Sequence, residues 1–564
     1  MAMANRASPR CLLILALTIS LWMVRGSFAA GHSVLVRAEP PPNAAREVAP
    51  REVRLWFTEP IDPPFSTVTV LDAQGRQVSG PPTVSDDRRQ MGTVVGLLTP
   101  GPYTVKWRVL STVDSHPTTG FFLFAIGLPT ALGPESGGMA APQPSFVAVR
   151  WIALLAALLL TGITLFPLAV FRPGLRGLDP LTGAHVRARL TYQLGDLMRG
   201  CAVLVFVTTV AELFLTAVVV FDASPSDVLS RGLLWPLLAG THIGWSILVR
   251  MPLALLILLP AARWGQILQS IGLMLGVGIV TLAVLFRGPA ALADPSHVGH
   301  LTLIVGVPAL YGLVQAVRQP PQTNWMPLLA AGGILGGLTL TAHAVGSGGT
   351  AMVADWLHLS AAGAWLGGLA SLAVALRNDP LEGTPQGKIM VRRFSTLAGL
   401  SLAILTATGA YATWLHVPTL HAMVLTAYGQ ALLVKLVFVL PLICLGAIHH
   451  VVARRRLEAL TGAELIRQQR RLRVTLGVEV ALGAAVLAAT AVLTQLPPAR
   501  TVFPATASCE IADKVITKAP PLRRSLVAAL PSLPLECDLP SMLPLAHLQT
   551  EEPARSWGKK MVST

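Results

Sequence analysis

The alternation of apolar and polar positions changes character along the chain near residue 128. From residue 32 to that point, short segments such as REVRLWFTE and GPYTVKWRVL alternate side chains of the two kinds, and Gly, Pro and Asp residues separate them. A period of two is typical of half-buried β-strands. This part of the chain therefore predicts a soluble all-β domain of about seven strands, an immunoglobulin-like sandwich or Greek-key barrel over 32–128.

Long apolar runs follow a Gly/Pro linker at 129–145 and dominate the chain up to residue 496. Each run is close to the ~20 residues that a helix needs to cross a bilayer. The runs lie near 146–171, 199–221, 246–262, 267–286, 300–318, 326–344, 353–376, 395–415, 429–452 and 474–496. Because only LLPAARWGQ separates the third run from the fourth, the pattern predicts a polytopic α-helical membrane bundle of about 8–10 transmembrane helices over 146–496. A Pro-rich tail, 497–564, completes the chain.

Basic residues are distributed unevenly between the loops on the two sides of these runs. The loops after the first, third, fifth, seventh and ninth runs, together with Arg199 and Arg318 at the ends of runs that border them, hold 18 Lys and Arg residues, and the loops after the second, fourth, sixth and eighth hold 2. The positive-inside rule makes the first set cytoplasmic, which predicts that the β domain and the C-terminus lie outside. Residues 1–31, with Arg6, Arg10 and an apolar core before SFAAG, are typical of a secretory signal peptide and predict the same side.

The composition agrees with a membrane protein. The 564 residues are 53% hydrophobic and 13% charged, and the net charge of +15 comes mostly from loops, so it indicates topology rather than nucleic-acid binding. The five cysteines include no CxxC motif, which excludes a thiolate cluster as the main chemistry. Cys509 and Cys537, both in the tail, are a candidate disulfide for an oxidising compartment. The alternative is a disordered extension with two free thiols.

A candidate metal site combines the mature N-terminus with the end of the β domain. Cleavage after Gly31 leaves His32 as the first residue, and its amine and imidazole together could chelate a metal. In VDSHP, Asp114 and His116 would project from one face of an extended chain. This nitrogen-rich set of N and O donors suits Cu(II). Cleavage after Ala29 gives an Ala-Gly-His terminus instead, and VDSHP has a second interpretation, a turn in which Asp and Ser cap local backbone.

The β segment resembles the CopC copper-binding domain over essentially all of 32–127. The similarity is carried by GHSVLVRAEPPPNAAREVAPREVRLWFTEPID and by GPYTVKWRVLSTVDSHPTTGFFLF. It implies a Cu(II) site made by His32, Asp114 and His116, with Glu59 close to the site and supporting its ligands. Some family members carry a Met-rich loop for Cu(I), but only Met91 lies in the corresponding part of this chain. We therefore expect a domain that binds Cu(II) alone.

Polar residues inside the apolar runs or at their ends are the candidates for a transport site. Asp355 and His358, spaced i, i+3, share a helical face. Charges inside membrane helices are costly and seldom idle, so Glu212 and Arg250 are predicted to pair. The alternative is that Arg250 snorkels and that Lys435 bonds only to backbone. The full set of candidates is His343, Met352, Asp355, His358, His416, His421, Lys435, Glu212 and Arg250.

The membrane segment resembles the CopD copper-transport domain. The similarity is best over TAHAVGSGG…ADWLHLSAAGAWLGGL and RFSTLAGLSLAILTATGAYATWLHV…LTAYGQALLVKLVFVLPLICLGAIHH, which together cover about 340–460, and it is weak over 146–340. It implies a bundle that moves copper. One departure from the family is the pair His449 and His450, which stands where an Asn-like residue is common. This pair could add a copper exit on the inner face.

Three classes of function are compatible with the sequence. The first is copper capture by the β domain followed by import across a bacterial inner (plasma) membrane, with the N-terminal domain and the C-terminus on the periplasmic side. The second is a membrane-tethered periplasmic chaperone or buffer that confers copper resistance without transport. A copper oxidase or oxygenase is the third, but no sequence feature supplies a substrate surface or an electron route, so we expect no enzymatic activity. The expected partners are copper ions, the lipid bilayer and other periplasmic copper proteins, and not nucleic acid.

Overall fold

The computed structural model describes residues 33–127, 138–139, 142–175, 180–258, 326–377, 384–449 and 462–502. Within these ranges the chain forms a β domain and then a series of helices. Several sequence predictions lie outside the described residues: the signal segment 1–31, His32, the apolar runs at 267–286 and 300–318, His450, and the Cys509–Cys537 disulfide.

The described part of the β domain contains two sheets. Its strands are β1 Leu35–Glu39, β2 Ala45–Arg46, β3 Glu52–Phe57, β4 Thr67–Leu71, β5 Ser79–Val84, β6 Gln90–Val95, β7 Gly101–Leu110, β8 Pro117–Ile126 and β9 Gly138–Met139. One sheet has the order β1-β3-β6-β5, and the other has the order β2-β8-β7-β4 with β9 also paired to β8. The β2–β8 pair is parallel and the other pairs are antiparallel. This arrangement confirms the predicted all-β sandwich.

Alternate residues of the two sheets fill the space between them. Leu55 in β3 and Val105 in β7 have 0% of their surface exposed. Trp107 meets Phe57 edge to face, with ring centroids 5.6 Å apart. The register places Gly120 opposite Trp107, where a Cβ would come within 2.5 Å of the indole ring. The inward positions of the period-two pattern are therefore the core of the sandwich.

Helices form the rest of the described chain. They are α1 Pro144–Gly174, α2 Pro180–Phe221, α3 Pro225–Ser230, α4 Leu234–Gly240, α5 His242–Leu258, α6 Met326–Thr339, α7 Gly349–Ala375, α8 Pro385–His416, α9 Leu420–Leu425, α10 Ala427–Ile448, α11 Gly462–Leu493 and α12 Ala499–Val502. Helix α1 contains a π-helical stretch at Pro167–Phe171.

The described residues contain six helices that are long and apolar enough to cross a bilayer: α1, α2, α7, α8, α10 and α11. Helices α4 and α5 meet the same test together, but they bend by 95° at Thr241, so the predicted run at 246–262 is one arm of a broken pair. Helix α2 begins at Pro180, well before the run predicted from residue 199. The chain is thus a multi-pass membrane protein, with six or seven spans within the described ranges.

Helices α1 and α7 cross at small residues. A Cβ on Gly162 would lie 2.4 Å from the carbonyl oxygen of Gly363 and 2.4 Å from the Cα of Gly367. Such spacing requires residues without side chains, because in lipid the association of helices depends on close van der Waals packing. The AWLGGL segment supplies those residues on α7.

Gly162→Ala is expected to destabilise the bundle by about 1–3 kcal/mol, because the added methyl group forces α7 away from α1. Thermal unfolding of the detergent-solubilised chain measures the effect. Gly195→Ala is the matched control, since a Cβ at that position in α2 meets nothing within 4 Å. Equal melting temperatures for the two variants would contradict this helix crossing.

Candidate metal centre

The turn before β8 carries two of the predicted ligands. Asp114 is 1% exposed, and its Oδ1 accepts the backbone N–H of His116 at 3.0 Å. Between them Ser115 has a left-handed backbone, with a φ of 56°. The prediction that the two side chains project from an extended strand is therefore wrong, because the Asp114 carboxylate caps a turn. The side chains still meet, with Oδ2 of Asp114 3.5 Å from Nδ1 of His116.

Glu59 holds this turn in place through Ser111. The Ser111 hydroxyl donates to Oε2 of Glu59 at 2.6 Å, and Glu59 is 3% exposed. The Ser111 oxygen accepts the backbone N–H groups of Val113 at 3.0 Å and of Asp114 at 3.4 Å. Glu59 therefore acts on the ligand-bearing turn through one intermediate hydroxyl, which is compatible with the supporting role that the family resemblance implies.

The first described residue of the chain is anchored beside the same turn. Ser33 has 0% of its surface exposed, and its hydroxyl donates to the backbone oxygen of Glu59 at 3.1 Å. The backbone oxygen of Ser33 accepts the Thr118 hydroxyl at 2.7 Å. The N-terminal end of the described chain is therefore fixed between the Glu59 segment and the start of β8.

The end of the β domain that carries this turn packs on the helical bundle. Phe65 and Leu110 belong to a buried apolar cluster that continues into α2, α4 and α5. The Phe65 ring meets the Phe221 ring edge to face, with centroids 5.8 Å apart. The backbone N–H of His242, at the start of α5, donates to the Ser115 hydroxyl at 3.1 Å. The bend between α4 and α5 thus exposes a helix N-terminus that the turn of the β domain caps.

An ion pair lies on the edge of this contact. Arg108, in β7, stands 4.0 Å from the carboxylate of Asp222, which follows α2. Burial lowers the pKa of Arg108, and the charge of Asp222 raises it in part. Asp222 is largely exposed, so the ion pair contributes little to the stability of the contact between the β domain and the bundle.

Imidazole rings continue from the turn into the bundle. The His116 ring lies 6.0 Å from the His343 ring, and the His343 ring lies 6.0 Å from the His416 ring, measured between centroids. Tyr428 stands 6.2 Å from both His343 and His416. His343 is 7% exposed and His416 is 8% exposed. Two transport candidates from distant parts of the sequence therefore meet directly behind a predicted ligand of the β domain.

A cavity of about 100 Å³ lies beside these rings, between the β domain and the bundle. Its β-domain wall includes Asp114 and His116, and its wall on the bundle includes Glu212 and Thr341. The cavity can hold a few water molecules or a hydrated metal ion, and anionic oxygens line both of its sides.

A buried charge cluster supports the bundle side of this cavity. Glu212 stands 2.7 Å from Arg250 and 3.6 Å from Arg150. Arg150 also donates to the hydroxyl of Thr341 at 3.1 Å. Arg250 is 1% exposed, so the alternative in which it snorkels to the surface is wrong. Sequence reasoning missed Arg150, although a lone arginine in the apolar run PSFVAVRWIALL was the available signal.

The other membrane candidates occupy separate positions. Asp355 accepts the Thr339 hydroxyl at 2.9 Å, and Nδ1 of His358 lies 2.8 Å from the hydroxyl of Thr408, so the two residues bond to different helices. Lys435 lies close enough to Asp355 for their charges to interact. Met352 is buried in an apolar cluster that includes Leu415, the residue before His416. The exposed His421 lies on α9.

The helix end that carries His416 is held by a residue that the sequence did not single out. The Arg500 side chain donates to the backbone oxygens of Leu415 at 2.8 Å and of Trp414 at 3.0 Å. These carbonyl groups belong to the last turn of α8, where no further helical N–H is available. Burial lowers the pKa of Arg500. The cation therefore caps α8 and fixes the backbone next to His416.

The metal-binding capacity of each cluster follows from its donors. Over the residues that the structure describes, no group of three or more His, Cys, Asp and Glu side chains could hold a metal ion. Asp114 with His116 supplies oxygen and nitrogen, and His343 with His416 supplies two nitrogens. Nitrogen and oxygen donors of this kind suit copper, and both clusters need a further ligand to complete a coordination sphere.

Three family models match successive parts of the chain. The CopC domain matches residues 35–127, the N-terminal domain of copper resistance protein D-like proteins matches residues 139–291, and copper resistance protein D matches residues 388–493. The matches follow the order of the β domain and the helical bundle. The match over 139–291 covers most of the segment 146–340, for which the motifs gave only a weak resemblance.

Individual proteins and solved structures are also similar to the whole chain or to parts of it. The copper transport protein CutJ of Bacillus subtilis is 25% identical over 501 residues, which cover 86% of this chain and 77% of that protein. Protein YobA of Escherichia coli K12 is 32% identical over 98 residues, 17% of this chain and 78% of YobA. Among solved structures, CopC of Methylosinus trichosporium OB3b is 31% identical and covers 18% of this chain and 100% of its own, with a TM-score of 0.17. PcoC of Escherichia coli is 27% identical, and the match covers 17% of this chain and 98% of PcoC, with a TM-score of 0.16.

The β sandwich, the multi-pass bundle and the matches to both parts agree. The chain belongs to the family of CopC–CopD fusions, copper proteins in which a CopC domain precedes a membrane domain of the copper resistance protein D type.

Proposed function

We propose that the chain imports copper, with the β domain capturing Cu(II) outside the membrane and passing it directly to the bundle. The observation that carries the proposal is the row His116, His343 and His416, in which successive ring centroids lie 6.0 Å apart. An imidazole–metal bond is about 2 Å long, so one ion bonded to two neighbouring rings spans such a spacing. Copper can then exchange ligands one at a time without entering bulk water.

His32 completes the capture site in this proposal. It is bonded to Ser33, which is anchored between Glu59 and Thr118 at the Asp114–His116 turn. With the imidazole of His32, and its amine after cleavage at Gly31, the site gains the nitrogen donors that Cu(II) prefers. The β domain carries no Met-rich segment, which supports Cu(II) rather than Cu(I) as its ion.

The path continues from His416 along the polar residues of the bundle. Met352 adds a thioether near the His343–His416 pair, and Asp355 and His358 lie further along α7. Each offers one or two donors, which supports a relay of exchanging sites rather than one tight site. The distribution of Lys and Arg supports a periplasmic β domain, so the relay would lead inward.

The second candidate is a tethered chaperone or buffer, and one feature favours it. Glu212 faces two arginines, Arg150 and Arg250, so the buried cluster below the cavity carries an excess of positive charge. Positive charge opposes the passage of a cation. In that case copper would stop at the β domain and would be passed to other periplasmic copper proteins.

Arg500→Ala is expected to weaken copper binding at the His343–His416 pair by about 10–100-fold, as loss of a supporting residue commonly does. The cause is the freed end of α8, which no longer fixes the His416 ring. Arg500→Lys retains one donor and should recover part of the affinity. Competition titration of copper on the full chain measures the effect, and Arg231→Ala, an exposed arginine, is the control. Unchanged affinity in Arg500→Ala would contradict the positioning role.

Copper accumulation in copper-starved bacteria separates import from buffering. Cells that express the chain are compared with cells that express His343→Ala, His416→Ala or His421→Ala. Import predicts that the first two variants accumulate no more copper than cells without the protein. The His421→Ala cells should resemble the wild type, because His421 is exposed and lies outside the row of rings.

The buffering hypothesis predicts a different pattern. Copper tolerance would then depend on Asp114 and His116, while His343→Ala and His416→Ala would leave both tolerance and accumulation unchanged. That pattern would overturn import, provided that the membrane variants reach the membrane in equal amounts.

A further inference from the structure

An acid–imidazole pair, with a buried acid and a partly buried imidazole, lies at the end of the bundle opposite the β domain. Helix α10 begins beside the row of rings, since Tyr428 contacts both His343 and His416. It ends at Ile448, and His449 follows it directly. At 1.5 Å per residue, His449 lies about 31 Å along the helix from Tyr428. That distance is close to the thickness of the hydrocarbon core of a bilayer.

The partner of His449 is Glu479, on the neighbouring helix α11. A carboxylate oxygen of Glu479 contacts Nδ1 of His449. Glu479 is an acidic residue within an apolar span, and only 2% of its surface is exposed. A buried acid in a membrane helix is costly and usually belongs to a path for an ion or a substrate. None of the sequence motifs singled out Glu479.

We propose that His449 and Glu479 form a copper-binding site from which the ion leaves the bundle on the side opposite the β domain. The inference rests on the proposed import function and names the exit of that path. An imidazole nitrogen and a carboxylate oxygen are ligands for Cu(II), and the carboxylate charge offsets that of the cation. Two protein ligands hold an ion less tightly than a complete site, which favours release.

The position of the pair agrees with this role. The capture turn, the His343–His416 pair and the His449–Glu479 pair lie in that order from one end of α10 to the other. Contact between α10 and α11 brings the two ligands together, so a shift of either helix separates them. Release can therefore follow from a small movement between two spans.

Copper binding to the full chain in detergent tests the site without relying on transport. The starting protein carries Asp114→Ala and His116→Ala, which remove the capture ligands of the β domain. Copper(II) sulfate is titrated by equilibrium dialysis, and bound ions are followed by electron paramagnetic resonance. His449→Ala and Glu479→Gln are each expected to lose one bound ion per chain, together with a signal from nitrogen coordination. Glu464→Gln is the matched control, an exposed acid on the same helix.

The outcomes distinguish a copper site from a purely structural contact, and they distinguish failure of the site from failure of the import hypothesis. If His449→Ala and Glu479→Gln keep every bound ion, the proposed copper site is overturned. A lower melting temperature of the two variants would then show that the pair is a structural contact between α10 and α11. If the two variants lose the ion while reconstituted wild-type protein moves no copper, the site stands and import fails. Loss in Glu464→Gln as well would show a non-specific effect of charge and would also overturn the proposal.

Discussion

Glu212→Ala is expected to destabilise the membrane domain by about 3–5 kcal/mol, because it leaves two buried cations without their shared partner. Glu212 stands 2.7 Å from Arg250, which is 1% exposed, and 3.6 Å from Arg150. Both arginines are buried, Arg250 with 1% and Arg150 with 7% of its surface exposed. The variant should therefore unfold at a much lower temperature, or fail to accumulate in the membrane.

Thermal unfolding of the full chain in detergent measures this loss. Asp196→Ala is the matched control on the same helix, since Asp196 pairs with Arg199 at 2.7 Å but both side chains are about half exposed. An exposed pair of this kind contributes about 0–1 kcal/mol. The stability of Glu212→Gln should lie between those of Glu212→Ala and Asp196→Ala, because glutamine keeps a hydrogen-bond acceptor but loses the charge. Equal stability of Glu212→Ala and Asp196→Ala would show that the buried cluster does not hold the bundle together.

His116→Ala is expected to lower the Cu(II) affinity of the β domain by more than the 10–100-fold that loss of a supporting residue causes. It removes a predicted ligand and also the ring that faces His343 at 6.0 Å. Copper import should therefore be lost even at copper concentrations that saturate the weakened site. Glu59→Gln, which acts through Ser111, should lower the affinity by about 10–100-fold and leave transfer intact at saturation.

A Cu(II) competition titration on the full chain gives the affinities, and copper uptake at saturating copper gives the transfer step. His185→Ala is the control, because His185 is exposed at the start of α2, outside the site. If the His116→Ala variant reached the wild-type rate of uptake at high copper concentration, the ion would enter the bundle without passing between the His116 and His343 rings. The direct transfer step would then be wrong.

The sandwich could be predicted because strand alternation is a local property. The inward residues of β3 and β7, such as Leu55 and Val105, produce the period of two that the sequence displays. The apolar runs are also a local property of the sequence, and each of the spans α1, α7 and α10 lies on a predicted run. The bend at Thr241 could not be read in this way, because it depends on how α4 and α5 pack against α2 and the β domain.

The geometry of the candidate site also depends on tertiary packing and could not be predicted from the sequence. Sequence reasoning identified Asp114, His116, His343 and His416 separately, but their contact depends on docking through Phe65 and Leu110, neither of which carries a chemical signal. The extended geometry assumed for Asp114 and His116 failed because Ser115 adopts a left-handed conformation. Arg500 and Glu479 escaped notice because their partners lie far away in sequence or on another helix.

The measurement that tests direct transfer most closely is copper uptake into sealed proteoliposomes that contain the full chain with the β domain outside. We expect copper to accumulate inside vesicles that contain wild-type or His421→Ala protein. Vesicles that contain His343→Ala protein should bind copper on the β domain but accumulate none inside. Accumulation at the wild-type rate with His343→Ala protein, or no accumulation with wild-type protein, would contradict direct transfer.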